Sequence, residues 1–238
     1  DYQMVDETLM LAALIEEFLQ SLTPKQREDF LSTENDRGKT NRETIARNFN
    51  FVLEQALKYY RSPTYKNLIA INGTTGNWRD SGEGLGGGVY AADDNVAWMQ
   101  TALKSIENII FYSHTNIPVN ITSEELSKII VSWQEVGDKF FKISLGVEEI
   151  RERLKRYYEW LEAQEPEKAE ILLDEELEGI KLRDFLYENK VPSSLKNGFR
   201  YYALSLYKKG KKIGVVYSDV GVFRLFNEDL KIEEIEEL

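Results

Sequence analysis

Residues 72–95 read NGTTGNWRDSGEGLGGGVYAADDN, and the fold turns on how that stretch is understood. Its 24 positions hold seven glycines, a tryptophan, an arginine and four carboxylates, while most of the remaining chain reads as amphipathic helix. Connections between packed helices usually take about 2–8 residues, and the polar interval over 63–92 is longer, which marks it as a functional or inserted loop. Glycine has a use in such a loop, because it permits positive φ and lets backbone N–H groups come close to a ligand.

Outward from this segment, helices are expected on both sides. Residues 5–22 carry Leu11, Leu14, Ile15, Phe18 and Leu22 at helical spacing, with Asp6 and Glu7 suited to the first-turn dipole. Thr23-Pro24 caps a short helix ending near Ser32, and Thr40 with Glu43 opens a longer one through Tyr60, closed by Arg61-Ser62-Pro63. Beyond the segment, Asp93 or Asp94 caps a helix to about Tyr112, with Val96, Met99, Ala102, Leu103, Ile106 and Ile110 on one face. Thr122 and Glu125 form a capping box for a helix through Phe141, and residues 147–164 make a further helix with charged outer faces.

The tail differs. Residues 165–197 begin acidic and match no single template, whereas residues 198–207 (GFRYYALSLY) alternate as a strand. Lys208-Lys209-Gly210-Lys211 turns the chain and residues 212–217 return, so a β-hairpin insertion is expected over 198–217. The expectation is thus one mostly helical domain over 1–238. Trp98, Trp133 and Trp160 all fall in helical patterns and are read as core, and His114, the single histidine, as a helix-end cation.

Several functions are excluded by composition. A net charge of −11 repels nucleic acid and anionic membrane surfaces. The absence of cysteine removes thiolate metal sites and cysteine nucleophiles. No apolar run nears the roughly 18 residues of a membrane span. Gly82-Glu83-Gly84-Leu85-Gly86-Gly87 satisfies G-x-G-x-x-G, but no strand leads directly into it, the surroundings are helical, and Asp80 and Glu83 would repel a phosphate there. Asp1 in place of methionine reads as a processed chain or a piece of a longer one. Asn72-Gly73-Thr74 and Asn120-Ile121-Thr122 fit the N-glycosylation sequon and lean slightly toward an extracellular setting.

Asn77-Trp78-Arg79-Asp80-Ser81, then Gly84-Leu85-Gly86-Gly87-Gly88, Tyr90 and Asp94-Asn95, resemble the W-R-D-S and G-L-G-G-G pattern of proteins related to the six-hairpin glycosidases. That is the (α/α)6-toroid superfamily of glucoamylase-like and glycogen-debranching-like enzymes. Ala203-Leu204-Ser205-Leu206 and Tyr217-Ser218-Asp219-Val220-Gly221 resemble a later element of the same group. The resemblance implies helical hairpins of an (α/α) toroid or partial toroid, binding of the terminal sugar of an oligo- or polysaccharide, and inverting hydrolysis where the chain is catalytic. It assigns Trp78, Arg79 and Asp80 to the sugar, with Tyr90 and Asp94 beside them. The chemistry agrees: a guanidinium fork and a carboxylate serve vicinal hydroxyls, and an indole matches the C–H face of a pyranose.

Glycoside hydrolysis needs a protonated and an ionised carboxyl, and the candidates taken forward are Asp80, Glu83 and Asp219. Asp93 and Asp94 are read first as helix caps. No cofactor and no metal is expected. A twelve-helix toroid needs roughly 300 residues, so another chain or a further segment is expected to complete it. The alternative is a non-catalytic helical scaffold or surface protein that retains the glycine loop for assembly.

Overall fold

A computed structural model describes residues 5–71, 84–113 and 115–214. The protein is mostly helical, and its residues fall into two compact units. One is formed by the described residues up to Lys142 together with 202–214, the other by Ile143–Tyr201. Nothing in the sequence patterning marks that division, because the helices on either side of it have similar lengths and faces.

The first unit begins with α1 (Val5–Ser21), α2 (Pro24–Ser32) and α3 (Asn41–Arg61). Their starts follow from local chemistry. The Thr23 hydroxyl accepts from the Gln26 N–H while the Gln26 side chain accepts from the Thr23 N–H, and Thr40 and Glu43 make the same reciprocal pair ahead of α3. The next helical rod runs without a break from Asp94 to Tyr112 in three parts: a π-helical turn over Asp94–Trp98, α4 (Met99–Glu107), and a second π-helical turn over Asn108–Tyr112. Val96, Met99, Ala102, Leu103 and Ile106 are buried as their spacing predicts. At the second π turn the phase changes, so Ile109 is buried and Ile110 only half-buried.

α5 (Ser123–Gln134) starts at Thr122, whose hydroxyl accepts from the Glu125 N–H at 3.2 Å. It ends short of the expected Phe141, and a third π turn follows over Gly137–Phe141. Trp133 anchors this core. Fully buried, it donates from its indole N–H to the Ala56 carbonyl at 3.1 Å and lies 5.0 Å from the Tyr59 ring, while Gln100 donates to its backbone carbonyl at 2.9 Å. Trp98 is buried as well.

A small antiparallel sheet completes the unit. β1 (Tyr90–Ala91) pairs with β6 (Ser205–Leu206), which pairs with β7 (Lys212–Ile213), in register Tyr90↔Leu206 and Ser205↔Ile213. The basic run 208–211 is the exposed turn of this hairpin, as expected, and Gly210 has φ +76.

The second unit carries all but the outermost residue of β2 (Lys142–Leu145) and of its partner β5 (Phe199–Tyr202), then α6 (Val147–Gln164), α7 (Pro166–Asp174) and α8 (Leu182–Tyr187), with the short hairpin β3 (Glu176–Leu177) and β4 (Ile180–Lys181) between the last two helices. Its own core gathers Leu145, Ile150, Tyr158, Leu161, Phe185 and Tyr201. The β3–β4 turn places Glu178 at φ 53 and Gly179 at φ 74, the left-handed pair of a two-residue hairpin turn.

The strand expected over 198–207 is therefore two strands. It breaks after Tyr202, and the chain changes partners: the Ala203 N–H donates to the Phe141 carbonyl and the Leu204 N–H to the Ile213 carbonyl. Of the expected hairpin over 198–217, the arms at 205–206 and 212–213 are present, and residues 215–217 lie outside the described residues. Trp160, expected in a core, is 57% exposed on α6, a correction taken up below.

Candidate functional site

Trp78, Arg79, Asp80, Glu83, Asp219 and His114 lie outside the described residues. What is described is the framework at either end of the glycine segment. Ile71 donates its N–H to the Val89 carbonyl at 2.6 Å, and Ile71, Leu85 and Ala91 pack as one small buried cluster. The residues that flank the segment thus share one anchor.

Asn95 fixes the incoming chain. Buried in the first π turn, its amide donates to the carbonyls of Ile69 at 2.9 Å and Ala91 at 3.0 Å, and its Oδ1 accepts from the Ile69 N–H at 2.6 Å. One side chain thereby stands in for a strand partner, satisfying backbone groups that would otherwise be buried unpaired.

The glycines at 86–88 have a packing reason. Gly86 and Gly87 hold φ +61 and +78, in the left-handed region. A Cβ on Gly88 would overlap the Ser205 hydroxyl and come within 2.6 Å of the Ser205 Cβ. The buried Ser205 hydroxyl donates to the Leu85 carbonyl at 2.6 Å, so glycine run and hairpin are joined by a polar bond where they approach most closely. Residues 84–88 and 203–206 are thus neighbours although more than a hundred positions separate them.

Tyr90 is buried in β1, edge-on to Tyr65 with centroids 6.1 Å apart, and burial raises its phenol pKa, with Tyr65 adding to the rise. Asp94 has no exposed surface, and Asp93 beside it is nearly as buried; the Asp93 carboxylate accepts from the Asp94 N–H at 3.2 Å. That bond reaches only the next residue, and Asp93 has helical φ and ψ in a helix that already includes Ala92, so it lies inside the helix rather than capping it. Tyr90 and Asp94 thus stand on adjoining elements of one framework.

A further group was not foreseen. A Cβ on Gly137 would come within 3.1 Å of the Tyr202 ring and 3.2 Å of Val96, so two π turns and the start of the 202–206 segment meet there. Tyr202 donates its phenol to Asp138 at 2.9 Å, and Lys142 pairs with the other Asp138 oxygen at 2.8 Å. The sequence signal was Gly137-Asp138 itself, which interrupts a helical pattern; that pattern was read as running on to Phe141.

Among the described residues no three or more of His, Cys, Asp and Glu stand together as metal ligands. Among them, too, no helix is long and apolar enough to cross a membrane. An open depression of about 700 Å³ lies elsewhere, along α5, lined by Tyr60, Glu124, Lys128, Val131 and Glu135. It has none of the residues of the sequence pattern. Compared with protein-family models, with curated proteins and with solved structures, the chain matches none.

Proposed function

We propose that the chain belongs to a glycosidase-type protein that binds the terminal sugar of an oligo- or polysaccharide, built as an (α/α) toroid or part of one. In this reading Trp78, Arg79 and Asp80 hold the sugar above a framework that includes Tyr90 and Asp94. The acid and base of an inverting hydrolysis come from Asp80, Glu83 and Asp219, about 6.5–9.5 Å apart where they act together. Another chain or a further segment completes the toroid.

One observation supports the reading: residues 84–88 of the G-L-G-G-G motif and residues 203–206, which resemble a later element of the same group, pack against each other through Ser205 and Leu85. Isothermal calorimetry against a panel of short oligosaccharides tests it. Arg79→Ala is expected to abolish binding while shifting the melting temperature by only a few degrees, because exposed positions change stability by about 0.5 kcal/mol. Unchanged binding, or a collapse in stability, rejects the assignment.

A second reading, a non-catalytic scaffold, is favoured by the same glycines, since close packing on the hairpin accounts for Gly86 and Gly88, and positive φ for Gly87, without any ligand. A hydrolysis screen separates the two.

A further inference from the structure

Trp160 is where the helical pattern misleads. On α6 the buried side is Ile150, Tyr158 and Leu161, and Trp160 points away from it, 57% exposed, beside Tyr157 at 50%. Their rings are nearly parallel, 26° apart in plane with centroids at 5.9 Å. Arg153, Arg156, Tyr157, Trp160 and Gln164 follow helical spacing and so form one strip along the helix. Two large aromatics held side by side in water, with amide and guanidinium groups before and after them on the same strip, call for an explanation that core packing does not supply.

We propose that Tyr157 and Trp160 form a second carbohydrate contact, a platform for the C–H face of a pyranose in an uncharged glycan chain. Aromatic rings supply the flat apolar surface such a face needs, and Arg156 and Gln164 stand where ring hydroxyls would meet donors and acceptors. Charge decides between ligand classes. The exposed neighbours on α6 are three carboxylates, Glu152, Glu159 and Glu162, and one ammonium, Lys155, while Arg153 is paired with Glu149 at 2.8 Å and Lys168 is paired with Glu165. Such a rim hydrogen-bonds neutral hydroxyls in either polarity, yet it offers no excess positive charge to draw a polyanion, and the chain as a whole carries −11. Arg153, Arg156 and Gln164 also bound the rings along the strip at helical spacing, whereas a stable protein interface needs an apolar centre within some 1,200 Å² or more. A slim, uncharged, hydroxyl-rich chain fits where a base or an apolar protein face does not. The assignment deepens the carbohydrate reading above and rests on it for the ligand class.

Native affinity electrophoresis of the full-length protein in gels cast with soluble starch, mixed-linkage β-glucan, xylan or galactomannan tests the platform. At least one polymer is expected to slow the wild type severalfold, Trp160→Ala and Tyr157→Ala to run close to the polymer-free mobility, and Trp160→Phe, which keeps a ring, to remain retarded. Equal retardation of wild type and Trp160→Ala overturns the proposal, as does a wild type slowed by none of the four. So does sedimentation velocity that finds a wild-type dimer dispersed by Trp160→Ala, which would assign the rings to a second copy. Short-oligosaccharide calorimetry keeps the two readings apart: binding lost in Arg79→Ala and kept in Trp160→Ala, with retardation independent of Trp160, removes the platform and leaves the first assignment standing.

Discussion

Gly88 shows what a single methyl group can decide. Its α-carbon lies so near the Ser205 side chain that alanine must push the hairpin away or distort the backbone. Gly88→Ala is therefore expected to cost about 1–3 kcal/mol, the usual range for overpacking, and Ser205→Gly in the same chain should recover part of it; urea unfolding of the single and double variants measures both. Asn95 acts in the opposite manner, by filling. Asn95→Ala removes three hydrogen bonds and leaves half-buried groups of Ile69 and a buried carbonyl of Ala91 unpaired, so a loss of about 2 kcal/mol is expected in the same assay. Neither role could be read beforehand. The glycine run was legible as a place where backbone comes close to something, but its partner, Ser205, lies far along the chain, and contacts at that separation leave no periodic trace.

Elements whose cause is local were legible. Thr23, Thr40 and Thr122 announce their helices because the bonds that cap them reach only three residues ahead. The strand over 198–207 was legible as strand and illegible as two, since alternation says nothing about which neighbour each residue meets. α6 was found within its observed limits, yet Trp160 was placed on the wrong side, because helical spacing defines faces without saying which one is dry. The same helix yields a prediction. Tyr158 donates its phenol to Glu162 at 2.8 Å, and that bond, ahead of burial, pushes its pKa up to about 12. A raised folded pKa means the bond stabilises fully below the ordinary tyrosine value near 10 and is lost as pH rises through the folded one. NMR titration of ring-labelled tyrosine is expected to show the Tyr158 phenol titrating late, and Glu162→Gln to return it toward the ordinary range. A Tyr158 that titrates normally in the wild type would contradict the hydrogen bond.

Across the whole molecule, carboxylates are held ionised in both units. Arg42 lowers the pKa of Glu28, the Thr40 cap that of Glu43, Lys181 and Arg183 that of Asp174, and the hydroxyls and N–H groups of Ser193 and Ser194 that of Glu178. A lowered folded pKa contributes stability above the unfolded value and loses it as pH falls through the folded one. The urea midpoint is thus expected to hold steady from neutral pH to about 5 and to fall only below the ordinary carboxylate range. Glu178→Gln should begin its decline from a lower plateau, and an unchanged acid limb would refute the clamp. Net charge and the lack of cysteine were plain at this scale from the start. The division into two units was not, because it depends on which apolar faces find each other.

The π turn over Asp94–Trp98 has one consequence larger than its size. It fits one residue more into the turn than an α-helix would, so the chain before and after it keeps nearly the bearings of an α-helix one residue shorter. Deleting one residue of 96–98 is therefore expected to let the turn close as α-helix with Asn95 still facing inward, whereas deleting one from α4 turns the acidic end by about 100° and releases Ile69 with no helix broken. The rod thus tolerates the loss of one codon at that end and does not tolerate it a turn later.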